Sequence, residues 1–270
     1  GAFSAIVYAV LIISIAVIFK TVGPPVRGFT WKERLISLPP ALPIVAVVVI
    51  IIFFVYNPFG DAWGTPTEGG AVGAFIVFCM ALYRGMRLPE LKSALIETAK
   101  LTVMIFTIIW GVLIYVRFLG FADLPGAFSD WITSLSASPM LILVCILLAY
   151  AVLGMFMDAI GMLLLTLPVV YPAVMALNGG ETVTAAESAF GMSGTMCAIW
   201  FGILVVKMAE FCLITPPIGL NCFVVAGVRD DLSVQDVFKG VTPFFIADAI
   251  TIALLVAFPA IVLWLPSLAS

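Results

Sequence analysis

Two irregular polar motifs interrupt the apolar stretches of this chain, and the first has the residue types that could hold a small ion. The stretch "ITPPIGLN" contains Thr215, Pro216, Pro217, Gly219 and Asn221. Prolines lack an amide hydrogen and glycine lowers helix propensity, so this segment cannot continue a regular helix. A helix broken inside a membrane offers carbonyl oxygens to a cation and N–H groups to an anion.

The positions of the two prolines predict which backbone groups the break releases. In a regular helix their amides would bond the carbonyls of Cys212 and Leu213, which we therefore expect to be unpaired. Unpaired backbone groups are costly in lipid, so the segment should face protein or a polar cavity. Thr215 and Asn221 add neutral oxygen atoms on either side of the break. A proline kink in a packed helix is the alternative interpretation.

The second motif, "GMFMDAIGM", joins two apolar arms within residues 139–177. It includes Gly154 and Asp158 but no lysine or arginine, whereas cytoplasmic loops are usually basic. The composition favours a re-entrant hairpin whose tip stays in the membrane. Two full crossings would return the chain to the same side, so they remain the alternative.

Three charged residues lie within the apolar segments that follow. Lys207 and Glu210 are three positions apart and share one helical face, which predicts a structural ion pair, with a role in a cation site as the alternative. Asp248 is expected to be a hydrogen-bonding residue of a structural helix. Glu68, close after Thr65 at the start of an earlier span, is expected to stabilise a helix N-terminus.

Several function classes are excluded or disfavoured by composition. The chain has no histidine, which excludes imidazole metal sites and Ser-His triads. Asp158 and Glu210 match no catalytic pattern, so we do not expect an enzyme. No span carries the continuous polar stripe of a channel, and a net charge of -3 gives no indication of nucleic-acid binding.

The elements that position these motifs are predicted to be membrane helices. Hydrophobic residues make up 64% of 270 positions and charged residues 10%, far from the mixture of a soluble domain. The fold class is therefore an all-α polytopic membrane protein. The absence of a start methionine at Gly1 indicates a fragment. Predicted spans cover about residues 3–19, 41–57, 69–84, 99–118, 139–177 (the hairpin), 189–228 (the broken helix) and 241–265.

The basic residues predict the orientation of these spans. If the loops around Arg27, Arg87 and Asp230 are cytoplasmic, nearly all lysines and arginines fall on one side, as the positive-inside rule expects. The segment 119–138 and the acidic loop around Glu181 are then external.

Two charged stretches precede outward crossings. The segments "FTWKERLISL" (29–38) and "LPELKSALIETAK" (88–100) are predicted to form short amphipathic helices along the cytoplasmic surface.

Three stretches together identify a family. "GMFMDAIGMLLLTLPVVYPAV", "KMAEFCLITPPIGLNCFVVAGV" and "GTPTEGGAVGAF" resemble the DctM-like large membrane subunit (M subunit) of TRAP (tripartite ATP-independent periplasmic) transporters. The similarity runs through essentially the whole chain. The family's large subunit is about twice as long and contains two inverted repeats, each with a hairpin and a broken helix. This sequence resembles the second, C-terminal repeat.

The resemblance implies a division of the chain. Residues 1–138 would contain scaffold-type helices and the cytoplasmic amphipathic arm helices. The transport-type region at 139–228 would comprise the re-entrant hairpin at 139–177 and the broken helix at 189–228. A terminal scaffold helix would occupy 229–270. Transport in the family is thought to be an elevator-like slide of the hairpin-bearing part against the scaffold.

The resemblance also implies a function. The expected protein is a multi-pass subunit in the bacterial inner membrane. It would import organic acids, such as C4-dicarboxylates, sialic acid or other sugar acids, with sodium as coupling ion and no other cofactor. A periplasmic binding protein would deliver the substrate, and a small four-helix membrane subunit would brace the large one. A related two-repeat sodium/carboxylate or ion carrier that works without a binding protein is the alternative.

The same resemblance assigns roles to the polar motifs. The hairpin tip would contain Gly154 and Asp158, and the unwound segment would contain Thr215, Pro216, Gly219 and Asn221, the binding residues that we predict for sodium and substrate. Sodium would lie near Thr215 and Gly219.

Overall fold

The computed structural model describes residues 2–18, 42–56, 64–217, 219–228, 232–264 and 266–268, and all regular structure in these ranges is helical. The helices are α1 (Ala2–Ile18), α2 (Leu42–Tyr56), α3 (Pro66–Tyr83), α4 (Leu88–Phe121), α5 (Leu124–Ser134), α6 (Pro139–Gly154), α7 (Ala159–Asn178), α8 (Gly194–Cys212), α9 (Leu220–Val228), α10 (Val234–Ala257) and α11 (Ala260–Leu263), followed by a short 3-10 turn (Pro266–Leu268).

Five of these helices are long and apolar enough to cross a membrane, namely α3, α4, α7, α8 and α10. Helices α1, α2 and α6 contain shorter apolar segments. The prediction of an all-helical, multi-span membrane protein is therefore confirmed.

Helix α4 corrects one predicted boundary. The stretch 88–100 was predicted as a separate surface helix, but it forms the first part of a continuous 34-residue helix, Leu88–Phe121. Its polar residues are ordinary helix formers, and no proline or glycine lies at the junction with the apolar part to end the helix. At 1.5 Å per residue the helix is about 51 Å long, which exceeds a hydrocarbon core of about 30 Å. The other predicted surface helix, 29–38, lies outside the described residues.

The chain divides into two compact units, Gly23–Ile105 and the combination of Gly1–Val22 with Phe106–Ser270, so the boundary falls within α4. In the first unit α2 packs against α3. The contact depends on buried glycines in α3, since a Cβ atom at Gly73 would lie 2.4 Å from Ile51 Cδ1. Small residues allow such close helix packing in membranes.

A capping box begins α3. Thr65 Oγ1 accepts a hydrogen bond from the Glu68 amide at 3.3 Å, and Glu68 Oε2 accepts one from the Thr65 amide at 2.7 Å. The predicted helix-start role of Glu68 is confirmed, because both orphan amides of the first turn are satisfied.

The second unit has a core built from α6, α7, α8 and α10. Trp200, Phe201 and Leu143 are completely buried there. Helix α5 packs along α7 through Ile132. Helix α5 was not predicted, and it lies in the segment 119–138, which was expected only to be external. An eleven-residue helix is too short for the apolar length on which span prediction depends.

One hydrogen bond fixes the end of α10 against α8. Pro259 has no amide hydrogen to donate to the carbonyl of Leu255 four residues earlier. The indole Nε1 of the buried Trp200 donates to that carbonyl instead, at 2.9 Å. The two helices are therefore joined by a polar contact as well as by apolar packing.

Candidate functional site

Helices α6 and α7, joined by a short tip, cover the stretch 139–177 that was predicted to be a re-entrant hairpin. Helix α6 ends at Gly154, and the tip runs through Met155 to Asp158 before α7 begins. Asp158 Oδ2 accepts hydrogen bonds from the amides of Ile160 at 3.0 Å and Gly161 at 3.4 Å. This N-cap ends the tip and starts the second arm. The position of the tip within a bilayer stays a prediction.

The two arms are also linked through their side chains. Thr166 Oγ1 lies 2.7 Å from Tyr150 Oη and 2.7 Å from the carbonyl oxygen of Met162. Tyr150 is only 2% exposed. This link between the arms was not predicted, because a lone tyrosine in an apolar segment gives no sequence signal of its partner.

The second element of the site is the interruption between α8 and α9. Helix α8 ends at Cys212 and α9 begins at Leu220, so the predicted break is present. The buried Thr215 donates its hydroxyl to the carbonyl of Phe211 at 2.6 Å. Gly219 has a φ of +44°, and a Cβ atom there would lie 2.8 Å from Phe238. This position therefore requires glycine.

The prediction that the break leaves two carbonyls unpaired is wrong. The carbonyl of Cys212 accepts a hydrogen bond from the Thr215 amide at 3.1 Å, and that of Leu213 accepts one from the Asn221 amide at 3.2 Å. The chain turns sharply after α8 and so supplies donors that a straight helix would not. Each carbonyl keeps a second lone pair, but neither is an orphan.

The hairpin tip and the break meet around one cavity of about 190 Å³. Its lining residues come from both elements: Gly154, Phe156, Met157, Asp158, Cys212, Leu213, Gly219 and Leu220. Three predicted site residues, Gly154, Asp158 and Gly219, are thus brought together. Thr215, Pro216 and Asn221 are not among the lining residues, and the last two are exposed at the surface.

Close packing at one point sets the distance between the two elements. A Cβ atom at Gly154 would lie 2.0 Å from Cys212 Sγ and 2.4 Å from Cys212 Cβ. Only a glycine allows the end of α6 to approach the end of α8 this closely. Cys212 was not predicted as a site residue, because its contact with the tip depends on the tertiary fold.

The chemistry available around the cavity is that of oxygen donors. The described residues contain no cluster of three His, Cys, Asp or Glu side chains that could hold a metal. The lining residues contribute backbone groups, the carboxyl group of Asp158 and the thiol group of Cys212. Both capping bonds use Asp158 Oδ2, and Oδ1 accepts no hydrogen bond in the described part of the chain. The oxygen atoms among these groups are of the type that a hard cation binds.

The predicted ion pair on α8 is present and has a second acid. Lys207 Nζ lies 3.0 Å from Glu210 Oε2 and 2.8 Å from Asp248 Oδ1. The side chain of Glu210 is 61% exposed, whereas those of Lys207 and Asp248 are 7% and 2% exposed. Asp248 therefore forms a buried ion pair with Lys207. This interaction is stronger than the hydrogen bond that was expected for Asp248.

Comparison with known proteins gives a consistent set of relatives. Residues 1–261 match the family described as "Tripartite ATP-independent periplasmic transporter, DctM component". The chain is 29% identical over 246 residues to the C4-dicarboxylate TRAP transporter large permease protein DctM of Pseudomonas aeruginosa, covering 90% of this chain and 52% of that protein.

Two other relatives carry different substrate names. The 2,3-diketo-L-gulonate TRAP transporter large permease protein YiaN of Escherichia coli is 31% identical over 182 residues, covering 67% of this chain and 39% of that protein. The sialic acid TRAP transporter large permease protein SiaM of Vibrio cholerae is 26% identical over 239 residues, covering 88% and 51%. The chain spans about half the length of the curated relatives it matches.

Proposed function

The chain belongs to the DctM family of large membrane subunits of tripartite ATP-independent periplasmic transporters, and we propose that it takes part in sodium-coupled import of organic acids. It is a multi-pass protein of the bacterial inner membrane. The observation that carries the proposal is the meeting of a hairpin tip and a broken helix around one small cavity. Interrupted membrane helices commonly provide the ion and substrate sites of secondary transporters.

Sodium is proposed to bind where the tip faces the break. Gly154 and Gly219 bring backbone close to the cavity, and Asp158 contributes a carboxylate to its wall. The residues present fit a sodium ion, because carbonyl and carboxylate oxygens are its preferred ligands. The carbonyl oxygen of Thr215 lies 3.3 Å from where a Cβ atom on the lining residue Gly219 would stand. Because the Thr215 hydroxyl donates to the Phe211 carbonyl, its oxygen retains lone pairs. We assign it an oxygen-donor or supporting role.

The proposed substrates are organic acids. The relatives are named for C4-dicarboxylates, sialic acid and diketogulonate, all of which are organic anions. The N-terminal end of α9 starts beside the cavity at Leu220 and offers a partial positive charge to an anion. The chain covers about half of its relatives, so the other half of the site would come from a first repeat of the same subunit. A periplasmic binding protein and a small membrane subunit complete the proposed assembly.

Uptake by the complete transporter in proteoliposomes tests the sodium dependence. Initial uptake rates of labelled C4-dicarboxylate, sialic acid or diketogulonate are measured against external sodium, with binding protein present. We expect uptake to require a sodium gradient. Thr215→Val should raise the half-saturating sodium concentration about tenfold, equivalent to about 1.4 kcal/mol.

Thr251→Val is the matched control. Thr251 is equally buried and its hydroxyl donates to the carbonyl four residues earlier, at 2.8 Å, but it belongs to the regular helix α10 and not to the break. An uptake rate that does not depend on the sodium gradient would refute sodium coupling. Equal sodium curves for the two variants would remove Thr215 from the site. An unchanged uptake rate without the binding protein would favour the alternative function, a two-repeat carrier that works without a binding protein.

A further inference from the structure

The Lys207–Asp248 pair joins two helices inside the core of the second unit. Lys207 belongs to α8 and Asp248 to α10, and their charged atoms lie 2.8 Å apart. Both side chains are almost fully buried. Asp248 Oδ1 has no hydrogen-bond partner with acceptable geometry among the described residues. The positive charge of Lys207 therefore compensates for the burial of this carboxylate oxygen. Removing Lys207 would therefore leave a buried carboxylate oxygen without a partner.

A third helix takes part through Tyr8 of α1. Its hydroxyl lies close enough to the Asp248 carboxylate to interact with it electrostatically. Lys207 Nζ also lies 5.5 Å from the centre of the Tyr8 ring, within the range of a cation–π contact. Tyr8 is held in turn by edge-to-face packing on Phe244 of α10. The charged pair thus connects α8 to both α1 and α10.

The position of this network along α8 relates it to the cavity. Lys207 is five residues before Cys212, or about 7.5 Å along the helix axis. Cys212 and the next residue, Leu213, line the cavity between tip and break. Helix α8 contains no proline or glycine between Lys207 and Cys212 that would absorb a movement. A displacement at Lys207 is therefore transmitted to the cavity wall.

The energetics indicate a role beyond holding the fold together. Well-packed apolar side chains of similar volume often stabilise a buried position as well as an ion pair does. Intramembrane charges are costly, and they are concentrated at functional positions. The pair does, however, fix the distance and orientation of two helices, which apolar contacts specify less sharply.

We propose that Lys207 is a positioning residue for the cavity between the hairpin tip and the break. Its pairing with Asp248 and Tyr8 sets the rotation and depth of the end of α8, and so places the oxygen donors beside Cys212 and Leu213. This role rests on the proposed function, because the cavity is the proposed sodium site.

Sodium activation of uptake by the complete transporter is the first test. Lys207→Gln should raise the half-saturating sodium concentration about tenfold with little change in maximal rate, and Lys207→Arg should restore most of the loss. Lys239→Gln is the matched control: it makes the same chemical change in an exposed pair whose atoms are 4.0 Å apart. This control should keep the sodium curve of the unaltered protein.

A double variant separates positioning from simple charge burial. Lys207→Met combined with Asp248→Leu removes both charges and keeps apolar volume, so it should fold even where the single variant does not. If the pair positions the cavity, the raised sodium requirement persists in the double variant. A double variant with normal sodium activation would overturn the proposal, as would a fall in maximal rate alone.

A second measurement does not depend on sodium coupling. In a protein that keeps Cys212 but has its other cysteines replaced, the rate of reaction of Cys212 with a small water-soluble thiol reagent reports access to the cavity wall. Cys212 as a whole is 3% exposed. We expect the double variant to react at least threefold faster, and an unchanged rate would overturn the positioning role. If uptake lacks sodium dependence while this rate rises, the coupling proposal fails and the positioning role stands.

Discussion

Replacing Gly154 with alanine tests whether close approach of the hairpin tip to α8 is needed for cation binding. The added Cβ atom would lie 2.0 Å from Cys212 Sγ and 2.4 Å from Cys212 Cβ. Ordinary contacts between such atoms are about 3.5–4.0 Å. The ends of α6 and α8 must therefore separate by roughly 1.5 Å, which is large for a cavity of about 190 Å³.

The size of the effect follows from this overlap. Adding one methyl group to a packed contact costs about 1–3 kcal/mol. If about half of that cost falls on the bound state, the half-saturating sodium concentration rises about twofold to tenfold, since about 1.4 kcal/mol corresponds to a factor of ten. The assay is initial uptake against sodium concentration in proteoliposomes of the complete transporter, with thermal unfolding measured in parallel.

Gly161→Ala provides the control, because a Cβ atom there meets nothing within 4 Å. Both glycines belong to the hairpin, but only Gly154 touches α8. Adding Cys212→Gly to the Gly154→Ala variant removes both overlapping atoms and should lower the sodium requirement again. Identical sodium curves for the two single alanine variants would show that cation binding does not need the close approach of the tip to α8.

Three other predictions concern stability and topology. Trp200→Phe should lower the free energy of unfolding by about 1–3 kcal/mol, because the carbonyl of Leu255 loses its hydrogen-bond donor. Thermal unfolding in detergent measures this change, and an unchanged unfolding temperature would contradict the prediction. Gly73→Ile should separate α2 from α3 and cost about 1–3 kcal/mol, whereas Gly70→Ile, where a Cβ atom meets nothing, should be nearly neutral in the same assay. A cysteine placed at Arg87 should react with impermeant thiol reagent only in inside-out vesicles, and labelling of intact cells would reverse the predicted orientation.

Much of the architecture follows from local properties of the sequence. Long apolar segments identify membrane helices, because a helix satisfies its own backbone hydrogen bonds. The break at Thr215–Asn221 also follows locally, since two adjacent prolines followed closely by a glycine disfavour a regular helix. The capping acid Glu68 and the pair Lys207–Glu210 were predictable because their partners lie three positions away.

The remaining contacts between side chains and backbone groups depend on the tertiary structure. Asp248 is 41 positions from Lys207, and Cys212 is 58 positions from Gly154, so no spacing rule connects them. The carbonyls expected to be free found donors because the chain folds back after α8, which local rules for a straight helix do not describe. The sequence pattern indicates which backbone groups would lack a hydrogen-bond partner in a regular helix. Which groups satisfy them instead depended on the packing of distant segments, because burial forces each polar atom to pair with whatever the fold brings near it.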